Sequence, residues 1–392
     1  MSTPRIPERP RAVLVALDIG RVPQAEDRAE EASRLVSSAG AEVVEVIRGR
    51  RDRPDAALFA GSGKVDQIKV AMHEHRAKIV VFDHALSAAQ ARNLERSLSE
   101  GTSPVRVFDR TDVILDIFAQ RARSHEGKLQ VELARLEHLS TRLVRGWTHL
   151  ERQRGSLGKT GGPGEKQIEL DRRMIGEKVK KLKERIRKIG RVRDTQRSAR
   201  SRSGVLRVAL VGYTNAGKST LFNRLSRGEA FVADQLFATL DTTTRRVYLG
   251  ENATITLSDT VGFIRDLPHS LVESFKATLE EAVQADLLLH VVDSANPRYH
   301  EQIDAVNAVL EEIGAGSVPQ LLVYNQIDRV SAMQPEIVRD THGKILNIKV
   351  SAFTGAGIEA LREVLADTAR TPTLQDASER SPVGKEEQRR SA

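Results

Sequence analysis

A glycine-rich loop that ends in lysine and serine is the part of this sequence with the clearest chemistry. Glycines let backbone N–H groups surround phosphates, the lysine brings a positive charge to the β- and γ-phosphates, and the serine hydroxyl ligates Mg²⁺. A helix expected after the loop adds the positive end of its dipole. The pattern therefore predicts a P-loop nucleotide site that uses Mg²⁺. The loop reads Gly212-Tyr213-Thr214-Asn215-Ala216-Gly217-Lys218-Ser219-Thr220, after an apolar run at 205–211.

Three shorter motifs later in the chain select the base. A carboxylate in the second of them can accept both N–H donors of guanine, whereas adenine lacks these donors and would leave the carboxylate unpaired. Each motif follows a predicted strand, and parallel strands bring their carboxyl ends to one edge of a sheet. GTP is therefore the predicted substrate. The motifs are Asp259-Thr260-Val261-Gly262 for Mg²⁺ and the γ-phosphate, Asn325-Gln326-Ile327-Asp328 for guanine N1 and N2, and Ser351-Ala352-Phe353, whose Ala352 N–H can donate to guanine O6.

The stretch between the P-loop and Asp259 must supply a threonine ligand for Mg²⁺. Spacing alone leaves several candidates there, within Phe237-Ala238-Thr239-Leu240-Asp241 and in Thr242, Thr243 and Thr244. Ser219, the chosen threonine and Asp259 would hold the metal. Lys218, that threonine and Gly262 would carry catalysis.

Two positions depart from the pattern common among G domains. Gln326 stands where lysine is usual, which predicts weaker nucleotide binding. Phe263 stands where a glutamine commonly orients the attacking water, so intrinsic hydrolysis should be slow. Asn215 leaves two interpretations open. It either helps to hold K⁺, as in GTPases that resemble this one, or it only caps the loop.

Alternating apolar runs and helical stretches predict the elements that position these motifs. A mostly parallel sheet should span residues 204–370, and a smaller α/β domain should precede it, with strands near 13–17, 43–47, 79–82 and 105–108. The smaller domain contains Gly61-Ser62-Gly63-Lys64, but a P-loop would need glycine at position 58, where Leu58 stands. A helix-capping turn is the favoured role. A weak phosphate or RNA contact by Lys64 is the alternative.

Two narrow apolar seams at heptad spacing predict an antiparallel helical hairpin between these domains. The glycine-rich stretch 155–164 would form its tip, either as an RNA contact or as a plain connector, and residues 190–204 resemble a linker. The seams consist of Leu129, Leu133, Leu136, Leu143, Trp147 and Leu150, and of Ile168, Ile175, Val179, Leu182, Ile186 and Ile189.

Positive charge is concentrated in the same segment. Residues 121–204 hold 24 Lys and Arg against 10 Asp and Glu, a surplus of 14, whereas the whole chain carries +8, so the remainder is negative. This concentration favours a nucleic-acid partner over a merely solvated helix face.

The composition excludes several classes of protein. With no cysteine among 392 residues, neither disulfides nor cysteine metal sites can form. The ten histidines are scattered, which disfavours histidine-based metal catalysis. The first apolar run, 12–17, is too short for a signal peptide or a membrane span, so we expect a cytoplasmic protein without membrane contact. The predicted domains are 1–120 (N-terminal α/β), 121–203 (basic hairpin and linker), 204–370 (G domain) and 371–392 (disordered tail).

These motifs together resemble the HflX family, a ribosome-associated branch of the translation-factor-like GTPases. The resemblance implies a GTPase that binds the large ribosomal subunit, with its N-terminal domain and hairpin against ribosomal RNA. It also implies a role in splitting or rescuing stalled ribosomes under stress, and it favours Thr239 as the switch threonine. Some members carry a further C-terminal domain where this chain has a tail. The matching stretches are 212–220, Asp234-Gln235-Leu236-Phe237-Ala238-Thr239-Leu240-Asp241, 259–263, 114–122, 127–133 and Gly161-Gly162-Pro163-Gly164-Glu165.

Two other functions compete with that expectation. One is a GTP-dependent RNA-binding switch that acts on RNA outside the ribosome. The other is an ATP-driven remodeller, which Asp328 and Ser351-Ala352 disfavour. We expect a monomer whose hydrolysis the ribosome stimulates.

Overall fold

The computed structural model groups the chain into two units. The N-terminal unit comprises Met1–Val192, Asp234–Asp241 and Asp266–Lys276, and the P-loop unit comprises Arg193–Ala233, Thr242–Arg265 and Ala277–Ala392. The predicted tail, most of the predicted hairpin tip, Asp234 and Gln235 lie outside the described residues. The residues described are 9–20, 25–99, 104–145, 163–201, 204–227, 236–250, 253–265, 268, 271 and 276–370.

The N-terminal unit is built on a parallel sheet. Among the described residues this sheet has four strands in the order β2-β1-β3-β4. The middle of β1, residues 12–17, is buried throughout, because its apolar run is covered on both faces. The strands are β1 (Arg11–Ile19), β2 (Glu42–Arg51), β3 (Ile79–Phe82) and β4 (Arg106–Asp109). The helices are α1 (Ala25–Ser38), α2 (Ser62–His75), α3 (Ala88–Leu98), α4 (Arg110–Arg121), α5 (His125–Arg145) and α6 (Pro163–Ser201), the last of which runs past the end of the unit.

The helices of this unit begin at clear local signals. Ser87 and Gln90 form a capping box at α3, and Asp109 and Asp112 form one at α4. Gly61 precedes α2 with φ of 81°, a conformation that favours glycine, so the predicted helix-capping turn is confirmed.

Helices α5 and α6 pack against each other through the described part of the two predicted seams, whereas Trp147 and Leu150 lie outside the described residues. Leu129, Leu133 and Leu182 are buried together, and Leu136, Val179, Ile186 and Ile189 pack against them. Across the same interface, Lys183 Nζ lies 2.7 Å from Glu137. The linker expected from residue 190 onward is wrong up to Ser201, because α6 continues through it. Its Arg, Gln and Ala residues are good helix formers, and none of its residues is proline.

The P-loop unit is built on a mixed sheet with seven strands in the described part of the chain. The order is β10-β11-β9-β8-β5-β7-β6, in which β6 and β10 are antiparallel edge strands and the other pairs are parallel. The strands are β5 (Leu206–Gly212), β6 (Thr243–Gly250), β7 (Ala253–Asp259), β8 (Leu287–Asp293), β9 (Gln320–Asn325), β10 (Glu336–Arg339) and β11 (Ile345–Lys349). The helices are α7 (Lys218–Ser226), α8 (Lys276–Val283), which starts at the unit boundary, α9 (Tyr299–Glu312) and α10 (Ile358–Arg370).

The core of the P-loop unit lies between this sheet and its helices. Leu210 of β5, Phe222 of α7, Val323 of β9 and Leu361 of α10 are all fully buried in one cluster. The carboxyl ends of β5, β7, β9 and β11 lead directly into the predicted nucleotide motifs. No helix within the described ranges has the length and the apolar character needed to cross a membrane.

Candidate functional site: a P-loop nucleotide site

The loop between β5 and α7 takes a shape that only glycine allows at its two ends. Gly212 has φ of 145°, and a Cβ there would lie 2.2 Å from the carbonyl oxygen of Val291. Gly217 has φ of 90°, and a Cβ there would lie 2.3 Å from Asn325 Nδ2. The strand–loop–helix context that a phosphate-binding loop requires is therefore present.

Lys218 lies at the start of α7 and folds back over the loop. Its Nζ donates to the carbonyl oxygens of Gly212 (2.9 Å) and Tyr213 (2.7 Å), and the side chain is buried. Burial lowers the pKa of Lys218 to about 8, although the nearby Asp259 acts in the opposite direction. Because the Lys218 ammonium is buried away from solvent, pairing with a phosphate group would stabilise its charge.

Ser219 and Asp259 form a pair of oxygen ligands suited to Mg²⁺. Ser219 Oγ donates to Asp259 Oδ2 at 2.8 Å, and Asp259 is 1% exposed. A hydroxyl and a carboxylate oxygen side by side at a helix N-terminus match the donors that Mg²⁺ takes in nucleotide sites. The adjacent Thr260 donates from Oγ1 to Leu210 O at 2.6 Å, which fixes the end of β7 to β5.

The segment after Asp259 is hydrogen-bonded to the P-loop. Phe263 N donates to Gly212 O at 3.1 Å, and Thr214 N donates to Phe263 O at 2.8 Å. A Cβ on Gly262 would lie 2.9 Å from Thr214 Cγ2 and 3.0 Å from Lys218 Nζ, so a larger residue would force these side chains to shift. The Phe263 side chain is 1% exposed and points into the core, where it cannot orient a water.

The base-recognition motifs meet at the ends of β9 and β11. Asn325 Nδ2 donates to Ala216 O, and its Oδ1 accepts from Ala352 N, both at 2.8 Å. Ser351 Oγ donates to Asp328 Oδ1 at 2.5 Å, which orients a carboxylate that is otherwise exposed. The Ala352 N–H, predicted to donate to guanine O6, donates to Asn325 here, so contact with O6 would require a shared donor or a shift of this loop.

Two arginines of this site were missed in the sequence. Arg224 of α7 donates from Nε to Ala352 O (2.9 Å) and from Nη2 to Phe353 O (2.5 Å), which holds the loop after β11. Arg329 donates from Nη1 to Gln326 Oε1 at 2.7 Å. No local pattern could reveal Arg224, because its acceptors lie more than a hundred residues away along the chain.

The predicted switch residues belong to the N-terminal unit. Phe237 packs edge-on against Phe118, with ring centroids 4.7 Å apart, and Leu240 is also buried. The Asp241 carboxylate, predicted to bind the nucleotide, accepts from the Ser124 N–H (2.7 Å) and Ser124 Oγ (2.5 Å) just before α5. Ser124 Oγ in turn accepts from Gly127 N in the first turn of α5 at 2.8 Å, so Asp241 holds in place the residue that caps this helix. Ala238 and Thr239 lie between these anchors, and their roles at the nucleotide remain predictions.

The fold and this site define a P-loop GTPase. A mostly parallel sheet carries a phosphate-binding loop with its lysine and serine, and Asp328, a carboxylate placed to recognise guanine, lies at the same carboxyl edge of the sheet. Three family models match most of the chain between residues 26 and 326. They are described as GTP-binding GTPase N-terminal (residues 26–119), GTP-binding GTPase Middle Region (121–200) and 50S ribosome-binding GTPase (207–326).

Curated relatives agree along most of their length. GTPase HflX of Escherichia coli (strain K12) is 53% identical over 91% of this chain and 82% of the relative. GTPase HflX of Magnetococcus marinus is 48% identical over 85% of this chain and 75% of the relative. The chain belongs to the GTPase HflX family, and it is an enzyme that hydrolyses GTP.

A solved structure shares the fold. The crystal structure of the SsGBP and GDP complex aligns with a TM-score of 0.52 over 92% of this chain and 98% of that chain. At 24% identity this likeness concerns the fold alone.

Proposed function

We propose that this GTPase binds the large ribosomal subunit through ribosomal RNA and uses GTP to split or rescue stalled ribosomes under stress. The observation that carries the proposal is the match of residues 207–326 to a model described as a 50S ribosome-binding GTPase. Family membership along the N-terminal and middle regions extends this support to the rest of the chain.

Helix α6 is the surface that would contact RNA. It carries 14 Lys and Arg against 6 Asp and Glu. Lys178, Lys181, Arg185 and Lys188 are all exposed, whereas Leu182 faces α5. A helix that buries one apolar stripe and leaves its cations in solvent fits a phosphate backbone.

The test is co-sedimentation with purified large subunits in the presence of a GTP analogue. Lys181→Glu/Lys188→Glu should weaken binding and reduce the salt dependence of log Kd by about one for each phosphate that α6 no longer neutralises. Lys183 is left unchanged because it pairs with Glu137. Arg339→Glu/Lys344→Glu reverses two exposed charges on β10 and its turn, and it should leave binding unchanged. If both double variants bind the large subunit equally well, the cations of α6 are only solvent-exposed and do not contact RNA.

The residues of the site would share the work of hydrolysis as follows. Lys218 would leave the loop carbonyls for the phosphates, and Ser219 and Asp259 would hold Mg²⁺, which neutralises developing charge when bound. Thr239 would complete the metal ligands, and the Gly262 N–H would contact the γ-phosphate. Asp328, oriented by Ser351, would select guanine.

Catalysis needs positive charge and an ordered water that Phe263 cannot supply. The proposed sources are the ribosome and a K⁺ ion near Asn215, which would act as an arginine finger does elsewhere. Asn215 has φ of 62° within the P-loop, so it shapes the loop as well. The loop-cap role and the ion-binding role are compatible.

The alternative is a GTP-dependent switch that acts on non-ribosomal RNA, which the exposed cations of α6 would also serve. Competition separates the two proposals. An excess of unrelated structured RNA should leave subunit binding intact if the ribosome is the partner, and it should abolish binding if α6 takes any RNA. The monomeric state and the cytoplasmic location expected from the sequence remain predictions.

A further inference from the structure

Gln326 links the base-recognition motif to the P-loop. Its Nε2 donates to the carbonyl oxygen of Asn215 at 2.8 Å, and its Oε1 accepts from Arg329 Nη1 at 2.7 Å. Asn215 lies three residues before the phosphate-binding Lys218. A single carboxamide therefore joins the P-loop to an arginine beside the guanine-selecting carboxylate.

Both ends of the first hydrogen bond have unusual backbone conformations. Gln326 has φ of 64° and Asn215 has φ of 62°, a region that residues other than glycine seldom occupy. Such conformations persist where the surroundings hold them. The bond from Gln326 to Asn215 fixes the two loops against each other in these conformations.

A lysine at position 326 could not make the same set of contacts. An ammonium can donate to Asn215 O, but it has no acceptor for Arg329 and would place a like charge beside it. A carboxamide has a donor at one end and an acceptor at the other. Arg329 Nη1 also lies 4.0 Å from Asp293 Oδ2, at the end of β8.

We propose that Gln326 and Arg329 together replace the lysine usual at this motif. Gln326 is a positioning residue for the P-loop, and Arg329 orients its carboxamide and supplies the positive charge next to the bound nucleotide. The pair should therefore restore the nucleotide affinity that the glutamine alone was expected to lose. The inference rests on the proposed assignment of residues 325–328 to guanine recognition.

The experiment is a double-mutant cycle, measured by titration with a fluorescent GDP analogue. Arg329→Ala should weaken binding about three- to tenfold in the native background, because the carboxamide loses its orienting partner. Gln326→Lys should also weaken binding, because its charge meets Arg329. In Gln326→Lys, the further change Arg329→Ala should strengthen binding. The sign of the Arg329 effect thus depends on residue 326.

Two controls keep the outcome interpretable. Arg339→Ala removes another exposed arginine of the P-loop unit and should change neither affinity nor melting temperature. Asp328→Asn should lower affinity in the same assay; if it does not, the guanine assignment itself is wrong. If Asp328→Asn acts as expected but Arg329→Ala has the same effect in both backgrounds, the pairing of Gln326 with Arg329 is refuted. Equal melting temperatures across the cycle exclude a general loss of stability as the cause.

Discussion

Nucleotide affinity should fall as the pH rises through about 8, because Lys218 is buried and its pKa is lowered to about 8. Phosphates need the protonated ammonium. Protein that has lost this proton must take one up to bind, so binding above pH 8 becomes weaker with every further unit of pH.

The size of this effect follows from the same value. With a pKa of about 8 in the free protein, about half of Lys218 is uncharged at pH 8, and affinity should drop about tenfold between pH 7 and pH 9. A lysine with its ordinary pKa of 10.5 would give almost no change over that range. The difference between 10.5 and about 8 corresponds to about 3 kcal/mol, which is what burial costs the charged form of Lys218 in the free protein.

Titration with a fluorescent GDP analogue at constant ionic strength measures this dependence. Guanine also loses a proton in alkaline solution, so the matched control is Lys218→Ala, in which only that ionisation remains. Lys218→Arg carries a cation that keeps its proton, so its nucleotide affinity should depend less on pH than that of the native protein. A native affinity that does not change between pH 7 and pH 9, or that changes as in Lys218→Ala, would refute the reasoning.

Other parts of the structure give three further expectations. Burial is the main cause that lowers the pKa of His290 to about 4. The native state keeps this histidine neutral, so its contribution to stability should be complete above about pH 6.5 and should fall by up to about 3 kcal/mol as the pH drops from 6.5 to about 4. Urea titrations check this, and His290→Asn should be less sensitive to acid. Asp241→Ala should lower the opening free energy of the first turn of α5 by about 2–4 kcal/mol and speed its amide exchange; Asp340→Ala, which removes turn contacts in the other unit, should not. K⁺ should stimulate phosphate release more than Na⁺ at equal ionic strength, and Asn215→Ala should abolish the difference while keeping nucleotide binding; identical rates in both salts would remove the ion from the mechanism.

The sequence predicted those parts of the site that depend on neighbours along the chain. The P-loop, the carboxylate of Asp259 and the motif at Asp328 each follow a strand directly, so a local pattern defines both the element and the side chain. The strands of the N-terminal unit and the capping turn at Gly61 could also be predicted, because each depends on a short stretch of sequence. The seams of α5 and α6 could be predicted because heptad spacing specifies a helix and its packing face together.

The parts that could not be predicted depend on contacts between distant residues. Arg224 holds the loop at Ala352, and Gln326 binds the carbonyl of Asn215; neither partner is visible in a local window. Composition also misled at residues 190–201, where Arg and Ser resemble a linker but continue α6. The motif places Asp241 with the nucleotide, whereas its carboxylate holds Ser124, the residue that caps α5, in the structure.

The hydrogen bonds from Ser124 to Asp241 have a consequence for how the protein is made. Ser124 and Phe118 leave the ribosome well before their partners at positions 241 and 237, because β5 and α7 are synthesised in between. The N-terminal unit therefore cannot complete its contacts when its own first 192 residues are finished. During synthesis the apolar surface around Phe118, against which Phe237 packs, therefore stays uncovered until part of the next unit has emerged. A fragment cut after α6 would keep that surface uncovered permanently.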